Sequence, residues 1–140
     1  MDLIDTLSIS ASGLSAQRVR LQTVASNMAN ARTTRTEDGG PYQRRMPVFE
    51  AETEGFGGVL EKNLARVSVT EIKADEGEPM MVFDPGHPDA DELGYVAYPN
   101  INVLEEMVDL MTTARTYEAN TNVVKTTQDM ASTALEIGRL

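Results

Sequence analysis

The chain has 140 residues, of which 41% are hydrophobic, and this is enough material for one domain with a modest core. Aromatic residues make up only 5% and tryptophan is absent, a composition that favours long helices with small-residue seams over a dense aromatic core. The formal net charge of −10 argues against nucleic-acid binding, which needs a surplus of lysine and arginine. Cysteine is absent, so disulfides and thiolate metal sites are excluded.

Residues 1–31 predict a long helix with a seven-residue apolar repeat. Gly13 weakens this helix by about 1 kcal/mol relative to alanine, or lets another helix approach closely. Asn27 and Asn30 are poor helix formers, which leaves open either a plain helix end or a packing site where a partner helix or loop bonds to the amides. The main apolar row consists of Leu7, Leu14, Leu21 and Met28, and the row three residues earlier of Ile4, Ala11, Arg18 and Ala25.

Residues 32–99 predict a small β-rich insert. They contain all 6 prolines and 8 of the 10 glycines, and turn clusters at 36–41, 55–58 and 84–88 separate short strand-like runs. Six of the seven aromatic residues lie here, so we expect the insert to have a minor core of its own. With 7 basic and 14 acidic residues, the insert is expected to face solvent. The strand-like runs are 46–50, 65–74, 80–83 and 95–98.

Residues 100–140 predict a second long helix, which begins after a capping box formed by Asn102 and Glu105 and ends at Gly138. Arg115 and Glu118 lie on adjacent turns, where a surface ion pair worth under about 1 kcal/mol competes with a partner contact. One heptad row is Val103, Leu110, Tyr117, Val124 and Ala131, and the companion row is Met107, Ala114, Thr121, Gln128 and Leu135.

The predicted fold class is therefore α+β, in three parts: 1–31, 32–99 and 100–140. The two terminal helices form an antiparallel stem, and the β-rich insert forms a head. Both helices are rich in serine, threonine, alanine and asparagine, so we expect them to be only marginally stable without partners.

The stretch 84–92 is the most enzyme-like, because it offers His87 and four carboxylates, the ligand types of a divalent metal. Its spacing fits no calcium-binding loop, and a rigid turn is favoured. No nucleophile or phosphate-loop motif occurs. We expect no catalytic, cofactor-binding or metal-binding residues. Arg18 and Arg20 are too few for strong membrane-surface attraction. The acidic opening and the lack of a long apolar run predict neither a secretory signal nor a transmembrane helix, which taken alone would indicate the cytosol.

Residues 12–17, Leu21 and 25–31 resemble the N-terminal signature of the bacterial flagellar axial family, which comprises the rod, hook and hook-associated proteins. Residues 105–111 and 114–120 resemble the C-terminal signature of the same family. Two central stretches, 33–45 and 84–91 followed by 94–100, are similar to members from the proximal rod, whereas 46–80 match weakly.

The resemblance implies a non-enzymatic structural subunit that polymerises through its terminal helices into a drive shaft, which transmits torque from motor to hook. It implies export by the flagellar type III apparatus without a cleaved signal, and a place in the periplasmic rod, which replaces the cytosolic assignment. The implied partners are other proximal and distal rod proteins, the rod-to-ring adaptor, the membrane ring and further copies, with no nucleic acid or small-molecule substrate.

Assembly contacts are expected from the main heptad row of each helix, the first two residues of the companion row of the second helix and three asparagines. These residues are Leu7, Leu14, Leu21, Met28, Asn27, Asn30, Val103, Met107, Leu110, Ala114, Tyr117, Asn120, Val124 and Ala131. Continuous helix packing suits contacts that repeat along an axis without closing on themselves. Two alternatives remain: a metal-dependent enzyme or binding module centred on His87, and a soluble coiled-coil adaptor.

Overall fold

A computed structural model describes residues 3–37, 39–52 and 65–138, and it confirms the predicted α+β fold of two long terminal helices with β structure between them. The predicted bounds of the last two strands match, and the first is longer than predicted. The turn cluster at 55–58 lies outside the described residues. In chain order the elements are α1 Leu3–Ala29, β1 Arg45–Glu52, β2 Arg66–Ala74, β3 Met80–Phe83, β4 Tyr95–Tyr98 and α2 Val103–Ile137.

Helix α2 begins and ends where the sequence predicts. The Asn102 side chain accepts a hydrogen bond from the Leu104 amide at 3.1 Å, which satisfies one of the free amides of the first turn. Its Nδ2 donates to Glu105 Oε1 at 3.1 Å, so cap and glutamate bond side chain to side chain. Gly138 caps the other end through its amide to the Ala134 carbonyl.

The four strands form two separate antiparallel hairpins. In the first, β1 pairs with β2 from Arg45↔Ala74 to Glu52↔Arg66, with an irregularity after Val48. This hairpin lies along α1. The Arg45 amide donates to Asn27 Oδ1 at 2.9 Å, and the Val67 amide donates to Ser12 Oγ at 3.2 Å. Ser12 and Asn27 are about 22 Å apart along the helix. Arg45 and Ala51, the β1 residue opposite Val67, are roughly 20 Å apart along the strand, so the two lengths match.

The second hairpin pairs β3 with β4 and is tied to the segment that follows α1. Thr34 Oγ1 donates to Asp89 Oδ2 at 2.8 Å, and the Arg35 guanidinium lies 3.7 Å from Asp89 Oδ1. Gly94, at φ +83°, makes the turn into β4; a Cβ there would lie 3.0 Å from the Phe83 ring. Both the backbone conformation and the space therefore require glycine.

The expected minor core of the insert is formed only in part among the residues that the structure describes, where Tyr42 is the one aromatic side chain of the insert that is buried. Phe49, Phe83 and Tyr95 are all exposed, and Phe83 and Tyr95 contact each other edge to face with ring centroids 5.3 Å apart. Two-stranded sheets are too small to enclose such side chains. Of the buried hydrophobic residues, Ala16 and Val24 lie in α1, Tyr42 and Val96 lie in the insert, and Ile101 lies just before α2.

Candidate assembly interface

The two helices pack antiparallel in a register that three contacts define. At one end Asn27 Nδ2 donates to Glu106 Oε2 at 3.1 Å. At the other, an ideal Cβ on Gly13 would lie 3.3 Å from Asn120 Nδ2, so the glycine permits the close helix approach considered from the sequence. Between them Arg20 Nε donates to an oxygen of Asp109 at 3.3 Å. Asn27 and Gly13 are as far apart in α1 as Glu106 and Asn120 are in α2, so the register is constant along the stem.

The centre of the stem is polar rather than aliphatic. On α1 the buried residues include Ala16, Thr23 and Asn27, and on α2 they are Glu106 and Thr113. Apolar side chains flank this seam without filling it. Polar and small residues at the centre of a helix pair fix its register at a cost in stability.

A buried hydrogen-bond network, which we call the base network, joins both helices to β1. It consists of Asn27, Tyr42, Arg44, Glu106 and the Arg45 backbone. Glu106 Oε1 accepts from Arg44 Nε at 2.7 Å and lies 2.6 Å from Arg44 Nη2. Its Oε2 accepts from Asn27. Both carboxylate oxygens are thus engaged, and the side chain is only 1% exposed.

The Asn27 amide is saturated by the same network. Its Oδ1 accepts from the Tyr42 hydroxyl at 3.1 Å and from the Arg45 amide at 2.9 Å, and its Nδ2 also donates to the Arg45 carbonyl at 2.9 Å. The Arg45 guanidinium lies 5.7 Å from the Tyr42 ring centre, within the range of a cation–π contact. The network therefore holds α1, α2 and the start of β1 together at the base of the stem.

The sequence left open whether Asn27 and Asn30 form a packing site or a plain helix end. The structure gives a different answer for each of the two asparagines. Asn27 bonds to Glu106 of α2 and to the backbone of Arg45 at the start of β1, and both partners belong to its own chain. Asn30 forms the plain helix end: its Nδ2 donates to the Ser26 carbonyl at 2.9 Å, and its Oδ1 accepts from the Thr33 hydroxyl at 3.1 Å. Sequence reasoning missed Tyr42, Arg44 and Glu106; the available signal was the polar heptad Glu106, Thr113, Asn120 and Thr127 beside the apolar row.

Most of the predicted apolar rows flank the seam and are only half-buried in the single chain. Val103 and Met107 are 43% and 45% exposed, and Ala114 is exposed as well. The half-buried members retain surface that a second molecule can cover. They are Leu7, Leu14, Leu21 and Met28 on α1, and Leu110, Tyr117, Val124 and Ala131 on α2.

An outward apolar stripe on α2, of which the heptad rows predicted only Met107, consists of Leu104, Met107, Val108 and Met111. Leu104 is 72% exposed, Val108 63% and Met111 57%. Their spacing of three and four residues places them on one face. Contiguous exposed apolar surface of this kind marks an interaction site.

The ion pair considered between Arg115 and Glu118 is not formed, although the structure describes both residues. Both side chains are exposed on α2, C-terminal to the outward apolar stripe.

No helix in the described ranges is long and apolar enough to cross a membrane.

His87 lies in a turn, as the sequence favoured. Its amide donates to the Asp84 carbonyl at 3.2 Å, and its Nδ1 accepts from the Asp89 amide at 3.1 Å. The neighbouring carboxylates bond locally: Asp84 accepts from the Gly86 amide, and Asp91 accepts from two amides of the next turn. Within the described part of the chain, no group of three or more histidine or carboxylate side chains is placed to hold a metal.

Comparisons with known proteins match both ends of the chain and its full length. Residues 7–35 match the family described as "Flagella basal body rod protein", and residues 92–137 match "Flagellar basal body rod FlgEFG protein C-terminal".

Proteins named "Flagellar basal-body rod protein FlgC" are similar throughout. Those of Aquifex aeolicus (strain VF5), Bacillus subtilis (strain 168) and Salmonella typhimurium (strain LT2) are 42%, 39% and 38% identical. The alignments cover 97%, 99% and 99% of this chain and 97%, 100% and 100% of those proteins. Identity of this extent over both helices and the insert establishes that the chain belongs to the FlgC family of flagellar basal-body rod proteins.

Proposed function

We propose that this chain is a non-enzymatic structural subunit of the flagellar rod that assembles through the outward faces of its stem. The outward apolar stripe of Leu104, Met107, Val108 and Met111 carries the proposal. Its side chains are large, adjacent and largely exposed in the single chain. Inside the stem, by contrast, the Glu106 carboxylate and the Asn27 amide are already paired.

The energy available from covering the stripe is sufficient for assembly by repetition. Full burial of one such side chain stabilises by about 1.5–3 kcal/mol. Since each member is about half to three-quarters exposed, covering the four of them is worth roughly 4–7 kcal/mol before the entropic cost of association. A contact of that size is weak alone, but a subunit in a shaft makes several at once.

The proposed neighbours are further copies, other proximal and distal rod proteins, the rod-to-ring adaptor and the membrane ring. We propose that the subunit reaches the periplasm through the flagellar type III export apparatus without a cleaved signal, and that the assembled shaft transmits torque from motor to hook. The membership of the FlgC family supports this setting. The half-buried rows on both helices supply additional contact surface along the shaft axis.

Complementation of a strain lacking this chain tests the proposal. Without the chain, cells should retain the membrane ring but lack rods and hooks. Wild-type protein should restore rods and swimming, whereas Val108→Asp should not, because a carboxylate at the centre of an apolar contact is desolvated without a partner. Because Val108 is exposed, the purified variant should keep the wild-type helix content and urea midpoint.

Thr116→Asp is the matched control on the same helix. Thr116 is exposed and lies eight residues from Val108, which at about 100° per residue places it on the flank of α2 rather than on the stripe. This variant introduces the same charge and should support swimming. Normal rods with Val108→Asp would rule out the stripe as an assembly contact, and failure of both variants would show only a general intolerance to charge.

A further inference from the structure

Strand β3, Met80–Phe83, has an open edge. It pairs with β4 on one side, and among the described elements it contacts no other strand or helix. The strand has only four residues, but it lacks three other features by which natural sheets protect an exposed edge, namely proline, charged residues and a register irregularity.

The backbone groups that face the open edge belong to Met81 and Phe83. The Asp84 amide donates to the Gly94 carbonyl at 2.9 Å, which places residue 84 on the bonded side of the hairpin. Bonded and non-bonded positions alternate in an antiparallel ladder, so Val82 also bonds toward β4. Met81 and Phe83 therefore direct their N–H and C=O groups away from β4, toward the position of a third strand.

Both faces of β3 are apolar and exposed, which is unusual for a strand. Met80, Met81 and Phe83 are 53%, 53% and 63% exposed, and Val82 is 39% exposed. A strand added at the edge would cover side chains on both faces at once. Phe83 already packs edge to face against Tyr95 on β4, so a ready-made apolar surface continues across the hairpin.

Carboxylates surround this edge. Residues 75–92 carry seven carboxylates and no lysine or arginine. Glu76 and Glu78 precede β3 and are exposed, while Asp84, Asp91 and Glu92 are exposed at the Phe83 end of the hairpin. Of the seven, only Asp89 lies in an ion pair with an arginine within the described residues. An unpaired acidic rim at both ends of an apolar strand favours a partner with cations at matching positions.

We propose that the open edge of β3 binds an extended segment of another protein as an added strand, and that this segment is apolar on its central positions and basic at its ends. Main-chain hydrogen bonds to Met81 and Phe83 supply the pairing, alternate side chains cover the two faces, and the acidic rim selects the flanking charges.

A second copy of the same hairpin is disfavoured as the occupant. Edge-to-edge pairing of two β3 strands would bring two acidic rims together, and like charges across an interface oppose association. The proposal concerns a surface apart from the outward apolar stripe, so it is independent of the assembly contacts of the stem.

Binding of a synthetic peptide to the full chain tests the proposal. The probe is a short peptide of alternating valine and threonine with two arginines at each end, followed by fluorescence anisotropy and by amide resonances of the protein. We expect saturable binding, protection of the Met81 and Phe83 amides from exchange, and weakening as salt is raised, because exposed charges are screened within about 10 Å at 0.1 M.

Two controls separate strand addition from attraction of a cation to an acidic protein. The same peptide with N-methylated valines keeps its charge but cannot pair, and it should bind at least about tenfold more weakly. On the protein, Met81→Pro removes an outward donor while leaving the bonded side of the hairpin intact, as edge strands tolerate, and should weaken binding by about tenfold. Met81→Ala keeps the backbone amide, so it should lower the affinity for the peptide by less than Met81→Pro does.

The acidic rim is tested by Glu76→Gln combined with Glu78→Gln, which should weaken the arginine peptide several-fold and remove much of its salt dependence. Glu136→Gln, near the distant end of α2, is the control and should have no effect. Equal binding of the N-methylated peptide, protection of amides other than those of Met81 and Phe83, or no binding to the wild-type chain would each overturn the proposal. A far-UV circular dichroism spectrum establishes that the variants are folded.

Discussion

The base network predicts an asymmetric response when either partner of its ion pair is removed. Glu106 is almost wholly buried, whereas the Arg44 side chain is 29% exposed. If Glu106 is replaced by alanine, Arg44 can turn toward water, and Asn27 keeps its bonds to the Arg45 backbone. If Arg44 is replaced by methionine, the Glu106 carboxylate is left buried without its cation.

The magnitudes follow from this difference. Removing one partner of a buried pair costs about 3–5 kcal/mol when the remaining charge is stranded, so Arg44→Met should fall in that range. Glu106→Ala loses the same pair but strands no charge, and it should cost about 2–3 kcal/mol. Glu106→Gln keeps the shape of the side chain, so it should lower the free energy of unfolding least of the three substitutions.

Urea unfolding of the purified protein, followed by circular dichroism, measures these changes. With a slope of about 2 kcal/mol per molar urea, Glu106→Ala should lower the midpoint by about 1 M and Arg44→Met by more. Glu118 is an exposed carboxylate on the same helix and forms no ion pair with the described residues. Glu118→Ala should therefore change the free energy of unfolding by less than about 0.5 kcal/mol. An Arg44→Met midpoint above that of Glu106→Ala would refute the reasoning.

Two further predictions concern the ends of the stem and the histidine turn. Amide exchange of the monomer should be slow near Asn27 and Glu106 and fast toward Leu7 and Ala131, because the base network is buried whereas the far seam contains few buried side chains; uniform protection along both helices would contradict this gradient. His87→Ala should leave swimming intact, and purified wild-type protein should contain no stoichiometric zinc or manganese, since the hydrogen bonds of His87 to described residues lie within its own turn and its ring lies edge to face against Tyr98. Tight metal binding that is lost on this substitution would restore the enzyme hypothesis.

The helices and strands were predictable because their signals are local. Asn102 and Gly138 fixed the ends of α2, and the turn residues at 84–88 separated β3 from β4. The heptad period of α1 and α2 also predicted that they pair as an antiparallel stem.

The centre of the seam was not predictable from apolar periodicity. Leu14 and Leu21 were placed in the main row, yet they are half-buried, and Thr23, Asn27, Glu106 and Thr113 are more deeply buried. A buried glutamate is favourable only with a cation and donors around it, and Arg44 reaches Glu106 from a distant part of the sequence. Polar contacts between residues that are distant in the sequence produce no periodic pattern from which they could be predicted.

The position of the first hairpin was likewise beyond local signals. The alternation of Val67, Ser68 and Val69 predicted a half-buried strand, but it could not show that the hairpin lies along α1. That placement depends on a few hydrogen bonds to Ser12 and Asn27, and such side chains bond to many different backbone groups in proteins.

Solvent access at Val108 in the assembled rod bears most directly on the proposed assembly surface. The chain has no cysteine, so Val108→Cys introduces a unique thiol whose reaction with a maleimide reports exposure. Because Val108 is 63% exposed in the single chain, purified monomer should label rapidly, and isolated basal bodies containing the same variant should label at least about tenfold more slowly if a neighbour covers the stripe. Equal labelling rates in monomer and basal body would contradict the assignment of this face to assembly.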